Sequence, residues 1–191
     1  TNLPKENFTV SVSAGGQGKL AEKIRESEID YYEINNFQRD IGVIKDIFAF
    51  FEILKLLNKT KPDIVHVNSS KAGGIAGLAI LIYKISPFGH KMSKRKTKTI
   101  FTVHGWAFNE SRSKNQIFLI KLFSKFTALF YDKIICVSEF DKQSAIKNNI
   151  APKRKLVTIH NGINTNESQF LSKEMARQRI FNFQFSIFKI A

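Results

Sequence analysis

His104 and Gly105 follow directly after Thr99–Val103, a run of β-branched and aromatic residues. That run predicts a buried strand, and neither an imidazole nor a glycine helps a strand to continue. An imidazole at a strand end can bind a ligand or exchange a proton near neutral pH. A glycine permits backbone angles that other residues rarely adopt. The alternative for His104 is a neutral ring satisfied by a backbone carbonyl, and its position at a strand end favours the functional interpretation.

The segment Val67–Gly77, VNSSKAGGIAG, joins a predicted strand to a predicted helix. The free N–H groups of a helix start favour anions, and Lys71 would add a positive charge. The spacing is not that of a P-loop. Helix capping by Ser69 or Ser70, with glycines for close helix–sheet packing, explains the same residues equally well. Both interpretations stay open at this point.

The remaining polar residues give weaker signals. Gly15, Gly16 and Gly18 could form an anion site, but a plain turn explains them better. His66 lies within a predicted strand, where a structural role is preferable. The four histidines and sixteen acids show no metal-ligand spacing. Cys136 is the only cysteine, which excludes an internal disulfide, and its apolar neighbours predict a buried thiol.

The chain is strongly basic, with 30 Lys and Arg against 16 Asp and Glu and a net charge of +14. Such a surplus predicts an anionic partner: a nucleic acid, an anionic membrane or a phosphate-bearing substrate. Nucleic acid is not expected, because no known nucleic-acid-binding module is recognisable. No uncharged run is long enough to span a bilayer and no signal peptide is visible, so we expect a soluble or peripheral protein. Four phenylalanines accompany lysines in one predicted helix and could face a membrane, although burial preferences favour packing on the sheet. They are Phe118, Phe123, Phe126 and Phe130.

Apolar runs of strand length alternate with segments of helical period along the chain. The predicted strands are Phe8–Ser13, Asp30–Ile34, Asp63–Val67, Thr97–Val103, Lys133–Ser138 and Lys155–His160. The predicted helices are Gly18–Ser27, Val43–Lys59, Ala72–Ile85, Gln116–Asp132 and Glu139–Asn148. This alternation predicts an α/β fold, a doubly wound parallel sheet that binds ligands at the carboxyl ends of its strands. Two segments stand apart: Gly89–Lys98 is a basic loop, and Ser172–Ala191 begins as a helix and ends as an apolar run suggesting a strand.

Four segments in this order resemble the N-terminal domain of family-four, retaining GT-B glycosyltransferases, above all bacterial members that build capsular or extracellular polysaccharide. They are KPDIVHVNSSKAG, FTVHGWAFNE, DKIICVSEFDKQSAI and KLVTIHNGIN. The resemblance covers about residues 8 to 168 and implies a Rossmann-like domain that mainly binds the acceptor, one half of a GT-B architecture. We therefore expect residues 1–168 to form this domain and residues 169–191 to be a linker and the start of a donor domain.

The resemblance implies retaining, metal-independent transfer of a hexose-like unit from a nucleotide sugar to a lipid-linked or polysaccharide acceptor. No cofactor is expected, since the nucleotide sugar is a substrate. His104 matches a histidine that touches the transferred sugar, and Asn161 and Gly162 match the end of the first domain. The implied location is cytoplasmic, at the inner face of the plasma membrane, with peripheral contact to anionic lipid. The implied substrate-binding residues are Gly105, Ser69, Ser70, Lys71, Gly73, Ser138 and Glu139.

The sequence also departs from the family pattern. The family's first strand and its Gly-rich loop would lie upstream of Phe8, and the donor domain with its paired glutamates would lie downstream. Asn68 stands where the pattern has a second histidine, and Ser111 where it has a glycine. We therefore expect no transferase activity from this chain alone. The alternatives are a basic phosphate- or nucleic-acid-binding protein without enzymatic activity, and a truncated reading frame that retains only the fold.

Overall fold

A computed structural model describes residues 3–38, 40, 42–85, 97–162 and 171–187, with side chains up to residue 180. The chain divides into two compact units, Thr1–His160 and Asn161–Ala191, and each is described by itself. Most of the predicted basic loop Gly89–Lys98 lies outside the described residues. Across the described part of the chain, no helix is long and apolar enough to cross a membrane.

The first unit alternates strands and helices in the predicted order. The described strands are β1 (Ser11–Ala14), β2 (Asp30–Glu33), β3 (Ile64–Asn68), β4 (Lys98–Val103), β5 (Lys133–Cys136) and β6 (Leu156–Thr158). The helices of this unit are α1 (Lys19–Glu26), α2 (Val43–Thr60), α3 (Ser70–Ile85), α4 (Lys114–Leu129) and α5 (Glu139–Lys147), with 3-10 turns at Ala107–Asn109 and Lys153–Lys155. The α/β class is thereby confirmed, and the paired strands run parallel, as predicted.

The strands form two parallel sheets. One pairs β1 with β2, and the other has the order β3-β4-β5-β6. In the larger sheet Asn68 pairs with Thr102 and Val103 pairs with Cys136, so the carboxyl ends of β3, β4 and β5 lie at one edge. The residues that directly follow these three strands therefore all lie at this edge of the sheet.

The core of the larger sheet depends on the close approach of α3. A Cβ added at Gly73 would lie 2.8 Å from a ring carbon of Phe101, and one at Gly77 would lie 2.6 Å from Phe130. The Tyr131 ring stacks on Phe101 with 5.0 Å between centroids, and its hydroxyl donates a hydrogen bond to the Gly73 carbonyl at 2.7 Å. The alternative of close helix–sheet packing therefore accounts for Gly73 and Gly77. Cys136 is fully buried beside this core, as predicted, and burial raises the pKa of its thiol to about 11.

Two expectations were wrong. The end of the chain is helical, because α6 (Lys173–Ile187) continues through residues predicted as a strand. An established helix adds residues at little cost, and this outweighs the alternating pattern of Phe181–Ile187. The four phenylalanines of the predicted helix Gln116–Asp132 do not all pack on the sheet: Phe130, directly after α4, is buried, but Phe118, Phe123 and Phe126 are 52 to 67% exposed. Ile117 and Ile120 of the same helix pack against the core instead.

The α3 glycines allow a matched test of packing. Gly77→Ala is expected to lower the free energy of unfolding by about 1–2 kcal/mol, because a methyl group would meet the buried Phe130 and Tyr131. Gly74→Ala is the control. Its methyl would meet only the tip of the exposed Phe123 ring, which can move, and alanine favours the helix by up to about 1 kcal/mol. Urea unfolding of both variants measures the difference, and equal losses would contradict this account of the core.

Candidate functional site

The end of β4 presents His104 to solvent. Gly105 follows with φ +136°, a conformation that side chains rarely tolerate, and the space around its Cβ position is empty. Trp106 then returns to the core, where its indole N–H donates to the Asp141 carbonyl at 2.9 Å and its ring stacks on Phe108. The backbone turn at Gly105 thus separates an exposed imidazole from a buried anchor.

His66 lies close to His104 on the neighbouring strand. Its Nε2 is 2.7 Å from the hydroxyl of Thr102, and the residue is exposed rather than enclosed in the core. Burial lowers the pKa of His66, and the nearby His104 lowers it further. The parallel register puts His66, Asn68 and Thr102 on one face of the sheet, and His104 directly follows β4 close enough to influence His66. This edge carries two imidazoles, of which His66 favours its neutral form.

Ser69 and Ser70 form the turn from β3 into α3. Ser69 has φ +75°, unusual for a residue other than glycine, and its hydroxyl accepts the Ala72 N–H at 3.4 Å. Ser69 and Ser70 are both exposed at the sheet edge. Capping by Ser69 is therefore present, and hydroxyls remain available on the surface of this turn.

Lys71 does not point freely into solvent. Its ammonium lies 2.7 Å from the Asp46 carboxylate and donates to the carbonyls of Gln38, at 2.8 Å, and Asp40. The ring of Phe37 lies 5.5 Å from the same nitrogen. Asp46 in turn accepts the N–H of Gly42 at the start of α2. Lys71 therefore ties α3 to α2 and to the loop before it.

The turn from β5 into α5 is also held by polar contacts. The Ser138 hydroxyl accepts the Asp141 N–H at 3.1 Å and caps α5. Glu139 accepts hydrogen bonds from Thr158 on β6, at 2.6 Å, and from Gln143. The hydrogen bond from Thr158 is the main cause that lowers the pKa of Glu139. Both predicted residues thus lie at the sheet edge, with Glu139 exposed and ionised.

The larger sheet brings most of the predicted residues to one edge: His104, Gly105, Ser69, Ser70, Ser138 and Glu139. Gly73 lies beneath this edge in the core, and Asn161 and Gly162 begin the second unit. Sequence reasoning missed the pairing of His66 with Thr102 and the anchoring of Trp106 on Asp141. Histidines on two successive predicted strands were the available signal, but their proximity depends on strand register.

The edge offers imidazole, amide, hydroxyl and carboxylate groups, which suit a ligand rich in hydroxyl groups. Among the described residues, no group of three or more His, Cys, Asp or Glu could hold a metal ion. The geometry therefore fits a binding edge for a polar ligand, with the exposed His104 at the end of β4.

Comparison with known proteins gives a family match over residues 1–167, to Glycosyltransferase Family 4. A similar curated protein is the Escherichia coli UDP-Gal:alpha-D-GlcNAc-diphosphoundecaprenol alpha-1,3-galactosyltransferase, 29% identical over 84% of this chain and 38% of that protein. Another is the Staphylococcus aureus capsular polysaccharide biosynthesis glycosyltransferase CapM, 26% identical over 88% of this chain and 40% of that protein. The chain thus spans about two fifths of the length of these curated relatives.

Solved structures show the same fold. Anabaena Alr3699/HepE in complex with UDP and glucose matches 87% of this chain and 40% of its own, with a TM-score of 0.59 and 12% identity. A glycosyltransferase from Rickettsia africae matches 88% of this chain and 39% of its own, with a TM-score of 0.55 and 20% identity. At these identities the likeness concerns the fold alone.

The variant Lys71→Met tests whether Lys71 has a structural role or binds an anion. If the ammonium mainly holds α2 and its loop, we expect the free energy of unfolding to fall by about 1–3 kcal/mol, because Asp46 loses its partner at a mostly buried site. A double-mutant cycle with Asp46→Asn should give a coupling energy of about 1 kcal/mol or more. Lys5→Met is the control, since its ion pair with Glu28 is exposed and worth under about 1 kcal/mol. Unchanged stability with weakened pyrophosphate binding would instead support the anion site.

The proximity of the two imidazoles can be measured by NMR titration. In the folded chain the pKa of His66 lies below its usual 6.5, because of burial and then His104. His104→Gln is expected to raise it partway, while burial keeps it below 6.5, and His160→Gln should leave it unchanged. The neutral His66 contributes stability above pH 6.5 that is lost as the pH falls, because the unfolded chain then binds a proton that the folded chain does not. A His66 pKa unaffected by His104→Gln would contradict the proximity of the rings.

Proposed function

This chain belongs to Glycosyltransferase Family 4, and from that premise we propose that it forms the acceptor-side part of a retaining glycosyltransferase. The enzyme transfers a hexose-like unit from a nucleotide sugar to a hydroxyl group of a lipid-linked or polysaccharide acceptor. The bond from the sugar to the nucleotide diphosphate breaks, a bond to the acceptor oxygen forms, and the hydroxyl proton leaves with the departing diphosphate. The sugar carbon keeps its anomeric configuration, and no metal ion is needed.

The observation that carries the proposal is the exposure of His104 at the carboxyl edge of the parallel sheet. In doubly wound folds this edge is where ligands bind. His104 binds the transferred sugar through its imidazole, and Gly105 provides the backbone turn that presents it. Ser69, Ser70, Ser138 and Glu139 border the same edge and bind hydroxyl groups of the substrates. Lys71 and Gly73 act mainly by holding the edge in place, as their contacts with Asp46 and Tyr131 indicate.

The names of the relatives support the acceptor class. The Escherichia coli relative is named for a diphosphoundecaprenol acceptor, and the Staphylococcus aureus relative for capsular polysaccharide biosynthesis. We infer that this protein works at the cytoplasmic face of the plasma membrane, where a lipid-linked diphosphate is anchored. A net charge of +14 attracts both the diphosphate and anionic lipid.

We further propose that a second, donor-binding domain completes the site, with residues 1–168 as the acceptor domain and residues 169–191 leading into the second. This chain matches only 38 to 40% of the length of the two bacterial relatives, which supports this division. The free edge of β3 supports an additional parallel strand beside it: among the described strands only β4 pairs with β3, and Ile64 is half exposed. Parallel sheets are normally covered on both faces and continued by further strands. Sequencing the DNA on both sides of the coding region tests this division, and in-frame stops close to both ends would contradict it.

The alternative of a basic phosphate- or nucleic-acid-binding protein depends on the loop Ser69–Lys71. Because the Lys71 ammonium already contacts Asp46 and two carbonyls, that loop offers hydroxyls rather than a free cation. DNA binding with a steep salt dependence would favour the alternative.

Transfer assays with the chain alone and with the chain joined to a donor-binding domain test the proposed reaction. The 191-residue chain alone should show no transfer, because stabilisation of the departing diphosphate needs groups held across the cleft. In the two-domain protein, His104→Ala should lower kcat by about 10²–10³-fold, the range seen when one transition-state contact is removed. His160→Ala, which removes another exposed histidine, should lower it by less than about threefold. Turnover by the chain alone, or full activity of His104→Ala, would overturn the assignment.

A further inference from the structure

Helix α4 carries a broad apolar surface on its solvent side. Six large side chains on this side are 52 to 70% exposed, and we call them the α4 outer face. They are Phe118, Leu119, Leu122, Phe123, Phe126 and Leu129. Single exposed apolar residues are common in proteins, but a contiguous group of this size marks a contact surface.

The opposite side of α4 is already occupied. Ile117 and Ile120 pack against the core, and Ala128 is buried within it. Apolar side chains therefore lie on two opposite sides of the helix, more than a single sheet can cover. More than half of each side chain of the outer face is exposed, although the tip of the Phe123 ring lies against Gly74 of α3.

The charges of α4 are all of one sign. Lys114, Lys121 and Lys125 lie along the helix, and Lys114–Leu129 contains no acidic residue. Lys114 and Lys125 are exposed, and the Lys121 ammonium lies 5.7 Å from the centre of the Phe108 ring. Phe140 on α5 differs, because an equally exposed ring stands there between Glu139 and Asp141. The α4 outer face thus lies on a helix whose charged side chains are all positive.

We infer that the α4 outer face contacts the surface of an anionic lipid bilayer. The apolar side chains enter the boundary between headgroups and acyl chains, and the lysines bind anionic headgroups, as in helices that lie in the membrane interface. A second copy of this chain is disfavoured as the covering partner, because each copy carries a net charge of +14 and like charges repel. The inference rests on the proposed function, since a lipid-linked acceptor would bring the enzyme to such a surface.

Vesicle binding tests the inference without any sugar donor or acceptor. The chain is mixed with vesicles of phosphatidylcholine alone or with 30% phosphatidylglycerol, and the bound fraction is measured by flotation. The double variant Phe118→Ser/Leu122→Ser keeps the charge and should weaken binding to the anionic vesicles at least tenfold. The control Phe140→Ser/Leu20→Ser removes one Phe and one Leu of at least equal exposure elsewhere, and should weaken binding by less than twofold.

A spectroscopic readout separates insertion from attraction by charge alone. Trp106 is buried and gives a constant background. Phe118→Trp should show a blue-shifted emission and quenching by brominated lipid in anionic vesicles, whereas Phe140→Trp should show neither. Equal losses in the two double variants, or equal spectra, would overturn the inference. So would a dimer in light scattering that the double variant abolishes, since the α4 outer face would then bind a second copy.

The proposed reaction and the α4 contact can be tested independently of each other. A water-soluble diphosphate acceptor offered to the two-domain protein reports on transfer in the absence of any membrane. Transfer without vesicle insertion would overturn the α4 contact alone. Vesicle insertion without transfer would leave the α4 contact in place and overturn the proposed reaction.

Discussion

The close contact between α3 and the larger sheet is the constraint on which the rest of this molecule depends. Gly73 and Gly77 leave room for Phe101, Phe130 and Tyr131, and the Tyr131 hydroxyl is bonded to the helix backbone at Gly73. A helix that approaches the sheet so closely has its first turn fixed at the carboxyl edge of β3. Lys71, in that first turn, then holds the start of α2 and the preceding loop through Asp46 and two carbonyls. The packing of small residues in the core thereby determines where the polar edge lies.

At this edge of the sheet, an exposed residue stands next to a residue that is anchored in the core. Gly105 turns the chain so that His104 faces solvent while Trp106 is buried and bonded to α5. His66 lies next to it on β3, bonded to Thr102, and burial favours its neutral form. Two neighbouring imidazoles at this edge can form hydrogen bonds with a hydroxyl-rich ligand. Positive charge is instead spread over the surface, where it attracts anionic partners before specific contacts form.

General burial preferences predict that the phenylalanines of α4 pack on the sheet, but in the structure they form an apolar surface on the outside of the helix. Phe118, Phe123 and Phe126 fall on the side away from the sheet because the helix already packs Ile117, Ile120 and Ala128 against the core. A single helix can bury only one side against a sheet, so a helix with apolar side chains on two sides needs a second partner. Leu20 on α1 shows the same limit on a smaller scale, since Ala21 takes the buried position and Leu20 is left exposed.

The sequence by itself determined the order of strands and helices in the first unit, the burial of Cys136 and the position of His104 at a strand end, because periodicity and turn residues are local properties. It could not determine the contacts of Lys71, since Asp46 lies 25 positions earlier and meets it only when α2 packs on α3. Nor could it determine that His66 and His104 are neighbours, which follows from the register of β3 against β4. The C-terminal strand was wrongly predicted because an alternating pattern does not reveal that a helix has already begun upstream. Tertiary structure decided these points because each depends on contacts between residues that are distant in sequence. A local sequence pattern gives no information about the free energy of such contacts.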